Sequence, residues 1–156
     1  MRVHICAVGR LRNGPEKDLV DDYLTRFDRT GRALGLGPVQ VVEVDARKGG
    51  GMAAEAALLE KALPNGAVVC VLDERGAVET SPKFAKRLAG WRDDGAGDLA
   101  FVIGGADGID PDLQGKARHA MSFGKMVWPH MLVRVMLSEQ LYRAASILSG
   151  SPYHRE

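Results

Sequence analysis

The sequence contains little cysteine, the residue that forms disulfide bonds and binds many structural metal ions. Only two of its 156 residues are cysteines, and Cys6 and Cys70 both lie in apolar segments typical of buried strands. Two cysteines are too few for the disulfide framework of a small secreted domain, so we expect two reduced thiols in the core. No Cys/His cluster has the spacing of a zinc site, and no serine-hydrolase or kinase motif is present. We therefore expect no metal and no covalent catalysis.

Long hydrophobic runs are also absent. The longest apolar segments, such as residues 67–72, are far shorter than the roughly 20 residues that cross a bilayer. The amino terminus reaches a charged residue after a very short apolar stretch, which is unlike a secretory signal. These absences predict a cytoplasmic protein that does not enter a membrane.

The chain has no excess of charge of one sign, because 21 basic residues face 20 acidic ones and the net charge is +1. The distribution is uneven, since residues 113–156 contain six basic and two acidic residues, which gives +4 there and −3 before them. A basic segment of this kind fits a partner that carries phosphates, and it also fits a solvated surface that keeps a protein in solution.

Strand-like and helix-like segments alternate along the whole chain. Short apolar runs predict strands over residues 3–8, 38–44, 67–72, 99–103 and 120–123. Apolar residues at helical spacing predict helices over residues 15–28, 52–63 and 129–148, and two more begin at Ser81-Pro82 and Asp110-Pro111. The alternation predicts one α/β domain over residues 1–156, with a mostly parallel sheet and helices on both faces. The loops at 31–37 and 48–51 are the candidates for mobile segments.

Ligands of parallel α/β proteins bind at the carboxyl ends of the strands, so the segments that follow Leu72, Ile103 and Phe123 are the candidate sites. The segment IGGADG, residues 103–108, contains glycines that let a ligand approach the backbone. It matches neither the dinucleotide pattern nor the Walker pattern. A ligand loop and a structural turn are both open interpretations of it.

The segment FGKMVWPH, residues 123–130, separates a predicted strand from a helix that begins near Pro129. Five or six apolar residues of irregular backbone are unusual at such a place. The segment is able to wrap an aromatic or thioether ligand, and it is equally able to form a buried connection with Trp128 in the core.

The predicted helix over residues 129–148 is apolar on more than one face, which predicts burial on two sides. In a chain of 156 residues, this favours a homodimer contact in addition to the core. Glu139 and Arg143 stand at the spacing of an ion pair on this helix.

The tail YHRE, residues 153–156, brings together an aromatic ring, an imidazole and a guanidinium. These groups are able to stack on a base and to bind a phosphate. Chain ends are usually frayed, so a solubilising end is the other interpretation.

Taken in order, these segments resemble one known family. The segments AVVCVLDERG (67–76), FVIGGADG (101–108), WPHMLVRV (128–135), SEQLYRA (138–144) and PYHRE (152–156) are similar to the ribosomal RNA large subunit methyltransferase H family, a bacterial branch of the SPOUT methyltransferases. The resemblance spans the chain, and its carboxy-terminal third is the most specific part.

The resemblance implies an enzyme that transfers a methyl group from S-adenosylmethionine to N3 of a pseudouridine in helix 69 of the 23S ribosomal RNA. It implies action on the assembled ribosome and a homodimeric state. It also implies a SPOUT-type fold with a carboxy-terminal trefoil knot, which no general rule of topology predicts.

By matching position, the resemblance also implies which residues hold the cofactor. Backbone groups of residues 123–128 would hydrogen-bond the adenine edge, and apolar side chains would enclose its ring. Gly104 would admit the cofactor because it has no Cβ. The full set is Leu72, Gly104, Phe123, Gly124, Lys125, Met126, Val127 and Trp128.

For catalysis, we expect Arg134, His154 and Arg155 to face the RNA. Tyr142 and Tyr153 would stack on the base or orient it. A nearby cation favours the anion that N3 must form, and His154 is the candidate base or proton relay because imidazoles titrate near neutral pH.

Two other functions stay open at this point. One is a ribosome-associated RNA-binding or assembly factor that uses the basic tail without catalysis. The other is a related knotted methyltransferase that acts on a transfer RNA or on a ribose hydroxyl. Saturable cofactor binding weighs against the first, and the identity of the methylated atom separates the second.

Overall fold

The computed structural model describes residues 1–45 and 50–155. Its strands are β1 (Arg2–Val8), β2 (Val39–Val44), β3 (Val68–Val78), β4 (Asp98–Ile103) and β5 (His119–Ser122). They form one sheet in the order β2-β1-β4-β3-β5, and every pair of neighbours is parallel. The predicted parallel α/β fold is confirmed.

Helices cover both faces of this sheet, as predicted. Phe27, Leu88 and Leu141 belong to one core, and Leu59 and Leu113 belong to the core on the other face, each at most 1% exposed. The central strands are continuous apolar runs because both of their faces are covered. The helices are α1 (Pro15–Gly31), α2 (Gly51–Ala62), α3 (Ser81–Asp93), α4 (Pro111–Lys116) and α5 (His130–Ser149), with a 3-10 turn at Arg32–Leu34.

The third strand runs further than its apolar residues indicate. The apolar run ends at Leu72, yet β3 continues to Val78, and Leu72 and Ala77 both pair with Met121 of β5. Residues 73–76 therefore form a bulge that leaves the ladder. The bulge lies so close to β5 that a Cβ on Gly76 would stand 2.7 Å from the carbonyl carbon of Met121. A polar bulge has no apolar periodicity, which is why the sequence predicted a loop after Leu72.

The segment 31–37, predicted as a mobile loop, is tied to the rest of the chain. It contains the 3-10 turn and the buried Leu36. The Gly37 N–H donates a hydrogen bond to the carbonyl of Met1 at 2.8 Å. The other candidate, at 48–51, lies largely outside the described residues.

The start of α3 differs from the prediction by one residue. Thr80, and not Ser81, caps the helix, because the Thr80 hydroxyl accepts a hydrogen bond from the N–H of Lys83 at 3.3 Å. The Ser81 hydroxyl instead donates to Oε1 of Gln140 at 2.7 Å. This bond joins α3 to α5, the helix that contributes to both parts of the candidate site.

Candidate functional site

A cavity of about 840 Å³ opens at the carboxyl ends of β3 and β4, at the edge where ligands of parallel sheets bind. Leu72 lines it where β3 enters its bulge, and Ile103 lines it where β4 ends. Residues 104–109, residues 127–130 and Val133 of α5 line it from the surrounding loops and helix. The volume is in the range of small-molecule sites.

A smaller cavity of about 110 Å³ lies beside it, and both cavities are lined by Leu72, Asp73 and Trp128. The segment after β5 shapes this second cavity. The Ser122 hydroxyl donates to the Gly124 carbonyl at 2.7 Å and accepts from the Gly124 N–H at 3.0 Å. Gly124 has a φ of +124°, a conformation that side chains other than hydrogen disfavour.

Seven of the eight residues predicted to hold the cofactor line one or both cavities. The exception is Lys125, whose side chain is exposed and lines neither cavity. The seven are Leu72, Gly104, Phe123, Gly124, Met126, Val127 and Trp128.

A side chain at Gly104 would clash with the loop that follows it. A Cβ on Gly104 would lie 2.7 Å from the Gly108 carbonyl oxygen and 2.8 Å from Cγ1 of Ile109. The loop therefore folds back onto Gly104 itself, and Gly108 closes the turn with its N–H donating to the Gly105 carbonyl at 3.0 Å. The missing side chain makes room for the loop, and the loop in turn shapes the cavity.

Charged residues of the β3 bulge face the larger cavity, and the sequence prediction missed them. Oδ1 of Asp73 accepts from Nε of Arg75 at 2.9 Å, and Oδ2 accepts from Nε2 of Gln114 at 2.7 Å. The hydrogen bond from Arg75 is the main reason that the pKa of Asp73 lies below its ordinary value of 3.8. Asp73 thus presents a fixed negative charge, and its position directly after Leu72 was the available signal.

Arg134 does not face a ligand, which corrects its predicted role. Its side chain is 1% exposed, and its guanidinium donates to Oε2 of Glu43 at 2.6 Å and to the carbonyl of Gly9 at 3.1 Å. Glu43 also accepts from the N–H of Leu11. Arg134 therefore binds the start of α5 to the ends of β1 and β2, and it acts as a positioning residue.

Tyr153 and His154 of the tail pack against α5 and form a cluster with its side chains. The ring of Tyr153 lies 4.6 Å from that of Tyr142, and the Tyr153 hydroxyl donates to Oε1 of Glu139 at 3.0 Å. Burial and this bond raise the pKa of Tyr153 to about 12. Tyr153 is therefore a protonated phenol at neutral pH. Arg155 lies on the surface of the cluster, and its side chain is exposed.

Arg143 and Glu139 occupy the centre of this cluster, although the sequence suggested only a surface pair. Arg143 donates to Oε1 of Glu139 from Nε at 3.0 Å and from Nη2 at 2.6 Å. Its guanidinium lies 4.8 Å from the ring centroid of Tyr153, and its Nη1 lies 3.1 Å from Nδ1 of His154. The tail residues are thus held by two charged side chains of α5.

Helix α1 completes the cluster with two residues that the sequence prediction also missed. Tyr23 lies 6.4 Å from Tyr142, measured between ring centroids. The guanidinium of Arg26 lies 5.7 Å from the Tyr142 ring centroid, within cation–π range. No short-range motif marks these residues, because α1 and α5 are far apart in the sequence.

The larger cavity and the tail cluster lie at different places along α5. Val133 lines the larger cavity, whereas Arg143 holds the tail. These two residues are ten positions apart, which corresponds to roughly 15 Å along a helix that rises about 1.5 Å per residue. Phe123 of the smaller cavity lies nearer to the tail cluster, because it lines a third cavity of about 280 Å³ together with Tyr23 and Glu139.

Three other kinds of feature would point to another function: a metal site, a membrane-spanning helix and a reactive thiol. Residues 1–45 and 50–155 contain no group of three metal-ligating side chains. No helix within these ranges is long and apolar enough to cross a membrane. Cys6 and Cys70 are buried in the core, as predicted, and burial raises the pKa of Cys70 to about 12, so its thiol is not a nucleophile.

Comparisons with known proteins show the family of this chain. Residues 1–154 match the family described as "Predicted SPOUT methyltransferase". The chain is 75% identical over 155 residues to the ribosomal RNA large subunit methyltransferase H of Roseobacter denitrificans, with 99% of each chain covered. It is 65% identical over 156 residues to the protein of that name from Paracoccus denitrificans, with 100% of each covered.

Two solved structures share the fold. A probable methyltransferase from Bordetella pertussis superimposes with a TM-score of 0.53 at 16% identity, covering 92% of this chain and 96% of that one. A probable methylase family protein from Haemophilus influenzae gives a TM-score of 0.52 at 12% identity, covering 99% of this chain and 70% of that one. The match over residues 1–154 shows that the chain belongs to the SPOUT methyltransferase family, which implies a methyl donor of the S-adenosylmethionine type.

Proposed function

We propose that this chain methylates N3 of a pseudouridine in helix 69 of the 23S ribosomal RNA, with S-adenosylmethionine as the methyl donor. The observation that carries the proposal is the cavity at the ends of β3 and β4, together with the smaller one beside it. Seven of the eight residues expected at the cofactor line these two cavities. The name of the relatives, ribosomal RNA large subunit methyltransferase H, supports the choice of RNA.

The residues of the larger cavity fit this cofactor. Leu72 and Trp128 offer apolar surface to a nucleobase, and the backbone of residues 104–108 offers donors and acceptors to its polar edge. Asp73, Glu74 and Arg75 line the cavity on the side of the β3 bulge, and the pairing of Arg75 with Asp73 leaves one net negative charge there. A negative charge suits a ligand that carries an ammonium and a sulfonium.

The protein's own part in the reaction is mainly to position the reactants. When bound, S-adenosylmethionine supplies a methyl group on a sulfonium, whose sulfur keeps the bonding electron pair while N3 gains the methyl group and releases its proton. Arg155 supplies a cation that favours the N3 anion. Tyr153 stays protonated because its pKa is raised to about 12, so it orients the base and does not accept the proton.

The active form in this proposal is a homodimer with a composite site. The larger cavity of one protomer combines with the tail cluster of the other, because Val133 at that cavity and Arg143 at the tail stand roughly 15 Å apart along α5 in a single chain. An exposed apolar patch next to the cavity supports the contact, since patches of this kind mark interaction surfaces. The patch consists of Met126, Val127, Trp128, Met131 and Leu132.

A mixing experiment tests the composite site. A Gly104→Val variant has a damaged cavity, and a His154→Ala variant has a damaged tail. Refolding the two inactive variants together should restore activity, since a heterodimer keeps one intact cavity facing one intact tail. Activity that does not return on mixing, although the heterodimers form, contradicts the composite arrangement.

The assembled ribosome is the substrate in this proposal, and the protein acts in the cytoplasm. The described residues form one sheet with its helices and no separate RNA-binding unit, so the ribosome supplies much of the recognition surface. One protomer would then dock on the ribosome while the other catalyses. We also propose that the carboxy-terminal part forms a trefoil knot and that residues 1–156 form a single domain.

Three substrates test this function. Ribosomes that lack the modification, protein-free 23S ribosomal RNA and bulk transfer RNA are each incubated with the protein and methyl-labelled S-adenosylmethionine. We expect label in the ribosomes only. Equal labelling of the protein-free RNA contradicts the ribosome requirement, and labelling of transfer RNA favours the related knotted methyltransferase. A folded protein that binds ribosomes but neither binds the cofactor nor transfers a methyl group favours the assembly factor.

A further inference from the structure

The hydrogen bond between Arg143 and His154 fixes which nitrogen of the imidazole carries the proton. Nη1 of Arg143 lies 3.1 Å from Nδ1 of His154. A guanidinium has five N–H donors and no acceptor, so Nδ1 must accept in this contact. A neutral imidazole has one donor and one acceptor nitrogen. The proton of His154 is therefore on Nε2.

Arg143 is held in this position from several sides. Glu139 accepts hydrogen bonds from its Nε and its Nη2, and these bonds are the main reason that the pKa of Arg143 is raised above its ordinary value. Its guanidinium also lies 4.8 Å from the ring centroid of Tyr153. Both members of the Arg143–Glu139 pair are largely buried, with side chains 25% and 18% exposed. A charge held in this way cannot easily turn away from His154.

We propose that Arg143 is a positioning residue that makes His154 a hydrogen-bond donor through Nε2–H, and that His154 donates to a carbonyl oxygen beside N3 of the target base. This inference rests on the proposed methylation of a pseudouridine. It replaces the expectation that His154 is a base or proton relay. Neither ring nitrogen has a free lone pair for the N3 proton, because Nδ1 is occupied by Arg143 and Nε2 carries hydrogen.

A donor at this place suits the chemistry of the base. N3 stands between two carbonyl groups, so loss of its proton spreads negative charge over N3 and both oxygens. An N–H aimed at an oxygen stabilises that anion and leaves the N3 lone pair free to take the methyl group. The N3 proton goes to solvent water.

The tautomer is tested directly by long-range ¹H–¹⁵N NMR of the protein without cofactor or RNA. His154→Gln identifies the His154 signals by their loss. We expect a single Nε2–H tautomer in the native chain and a shift of the Nδ1 signal in Arg143→Met. Arg143→Lys should restore the native signal, because it keeps a cationic donor. Arg29→Met, which removes an exposed arginine of α1, should leave it unchanged.

The same measurement can overturn the assignment. A proton on Nδ1 in the native chain contradicts it, and so does an Nδ1 signal that is identical in the native chain and in Arg143→Met. This readout does not depend on activity. A native protein that shows the expected tautomer but methylates no ribosomal RNA would therefore refute the proposed function and leave the tautomer assignment intact.

Two amide substitutions test the donor role in catalysis. The side-chain amide nitrogen of His154→Gln reaches about as far as Nε2, whereas that of His154→Asn reaches only as far as Nδ1. We expect His154→Gln to keep single-turnover methylation of ribosomes within about tenfold of the native rate. His154→Asn should lose about 100-fold, the usual effect of removing one donor to a developing anion. Equal loss in both variants contradicts the donor role.

Discussion

Nη1 of Arg134 on α5 lies 2.6 Å from Oε2 of Glu43 on β2, and the Arg134 side chain is 1% exposed. The guanidinium also reaches the backbone carbonyls of Val8 and Gly9, where β1 ends. One buried cation thus holds the first turns of α5 against the carboxyl ends of two strands. Val133, its neighbour in the sequence, lines the larger cavity. The shape of the cavity therefore depends on a buried residue that does not line it.

Replacement of Arg134 should affect stability before it affects chemistry. Arg134→Met removes the cation and leaves Glu43 and the strand-end carbonyls without their donor. We expect the free energy of unfolding in urea to fall by about 3 kcal/mol. Arg29→Met, at an exposed position, is the matched control and should change it by less than about 0.5 kcal/mol. An Arg134→Met protein with native stability and no methylation would support the original prediction that Arg134 contacts the RNA.

The glycine at 104 should tolerate no side chain. In Gly104→Ala, the new Cβ meets the Gly108 carbonyl and Ile109 at less than 3.0 Å, so the loop that lines the cavity must move. We expect weaker S-adenosylmethionine binding by calorimetry and a lower unfolding midpoint. Gly90→Ala, in α3 with open space around it, should instead raise the free energy of unfolding by about 0.5–1 kcal/mol. Native affinity in Gly104→Ala would mean that the loop does not shape the binding site.

The apolar patch beside the cavity should be the dimer contact. Val127 is 80% exposed in the single chain, and a charge in its place would be buried unpaired in an interface. We expect Val127→Asp to be a folded monomer by light scattering and to lose methylation. Leu58→Asp, at an exposed position on α2, should remain a dimer. Dimeric Val127→Asp, or a native chain that is monomeric, would rule out this contact.

Stability should fall in mildly acidic solution because of His119. His119 lies beside the carboxylate of Glu79 and the ring of Trp91, and burial, followed by the charge of Arg87, lowers its pKa from 6.5. The folded chain then binds this proton more weakly than the unfolded chain. The stabilisation is complete above pH 6.5 and is lost as the pH falls through the lower, folded pKa.

The measurement is the free energy of unfolding at about pH 7.5 and about pH 5.5. It should decrease between the two, and the decrease should be smaller in His119→Gln. Glu79 does not interfere in this range, because its pKa is lowered from 4.5, chiefly by the hydrogen bond from Arg87. The same pH dependence in both proteins would assign it to another group.

The sequence predicted the parts of the fold that depend on local pattern. Apolar runs located all five strands, and the ends of two of these runs, at Leu72 and Ile103, indicated the correct edge for the cavity. The bulge at 73–76 was missed because it is polar and follows the end of an apolar run. The pattern of apolar residues describes only neighbours along the chain, whereas the bulge depends on how β3 pairs with β5.

The roles of Arg134 and Arg143 were not predicted correctly, for a related reason. Arg134 shares one line of α5 with Ser138 and Tyr142, which resembles a polar stripe. Its partner Glu43 is 91 positions away, so the burial of the pair is visible only in the fold. The role of Arg143 was missed in the same way, because its contact with His154 forms only when the tail turns back onto α5. Contacts between residues far apart in the sequence determine both roles.

The position of the transferred methyl group tests the proposed function most directly. Ribosomes that lack the modification are treated with the protein and S-adenosylmethionine, and their RNA is digested and mapped by mass spectrometry. We predict one new methyl group, on N3 of a pseudouridine in helix 69 of the 23S ribosomal RNA, and none with a Gly104→Val protein. A methyl group on a ribose hydroxyl, on another base, or on no ribosomal RNA at all would contradict this prediction.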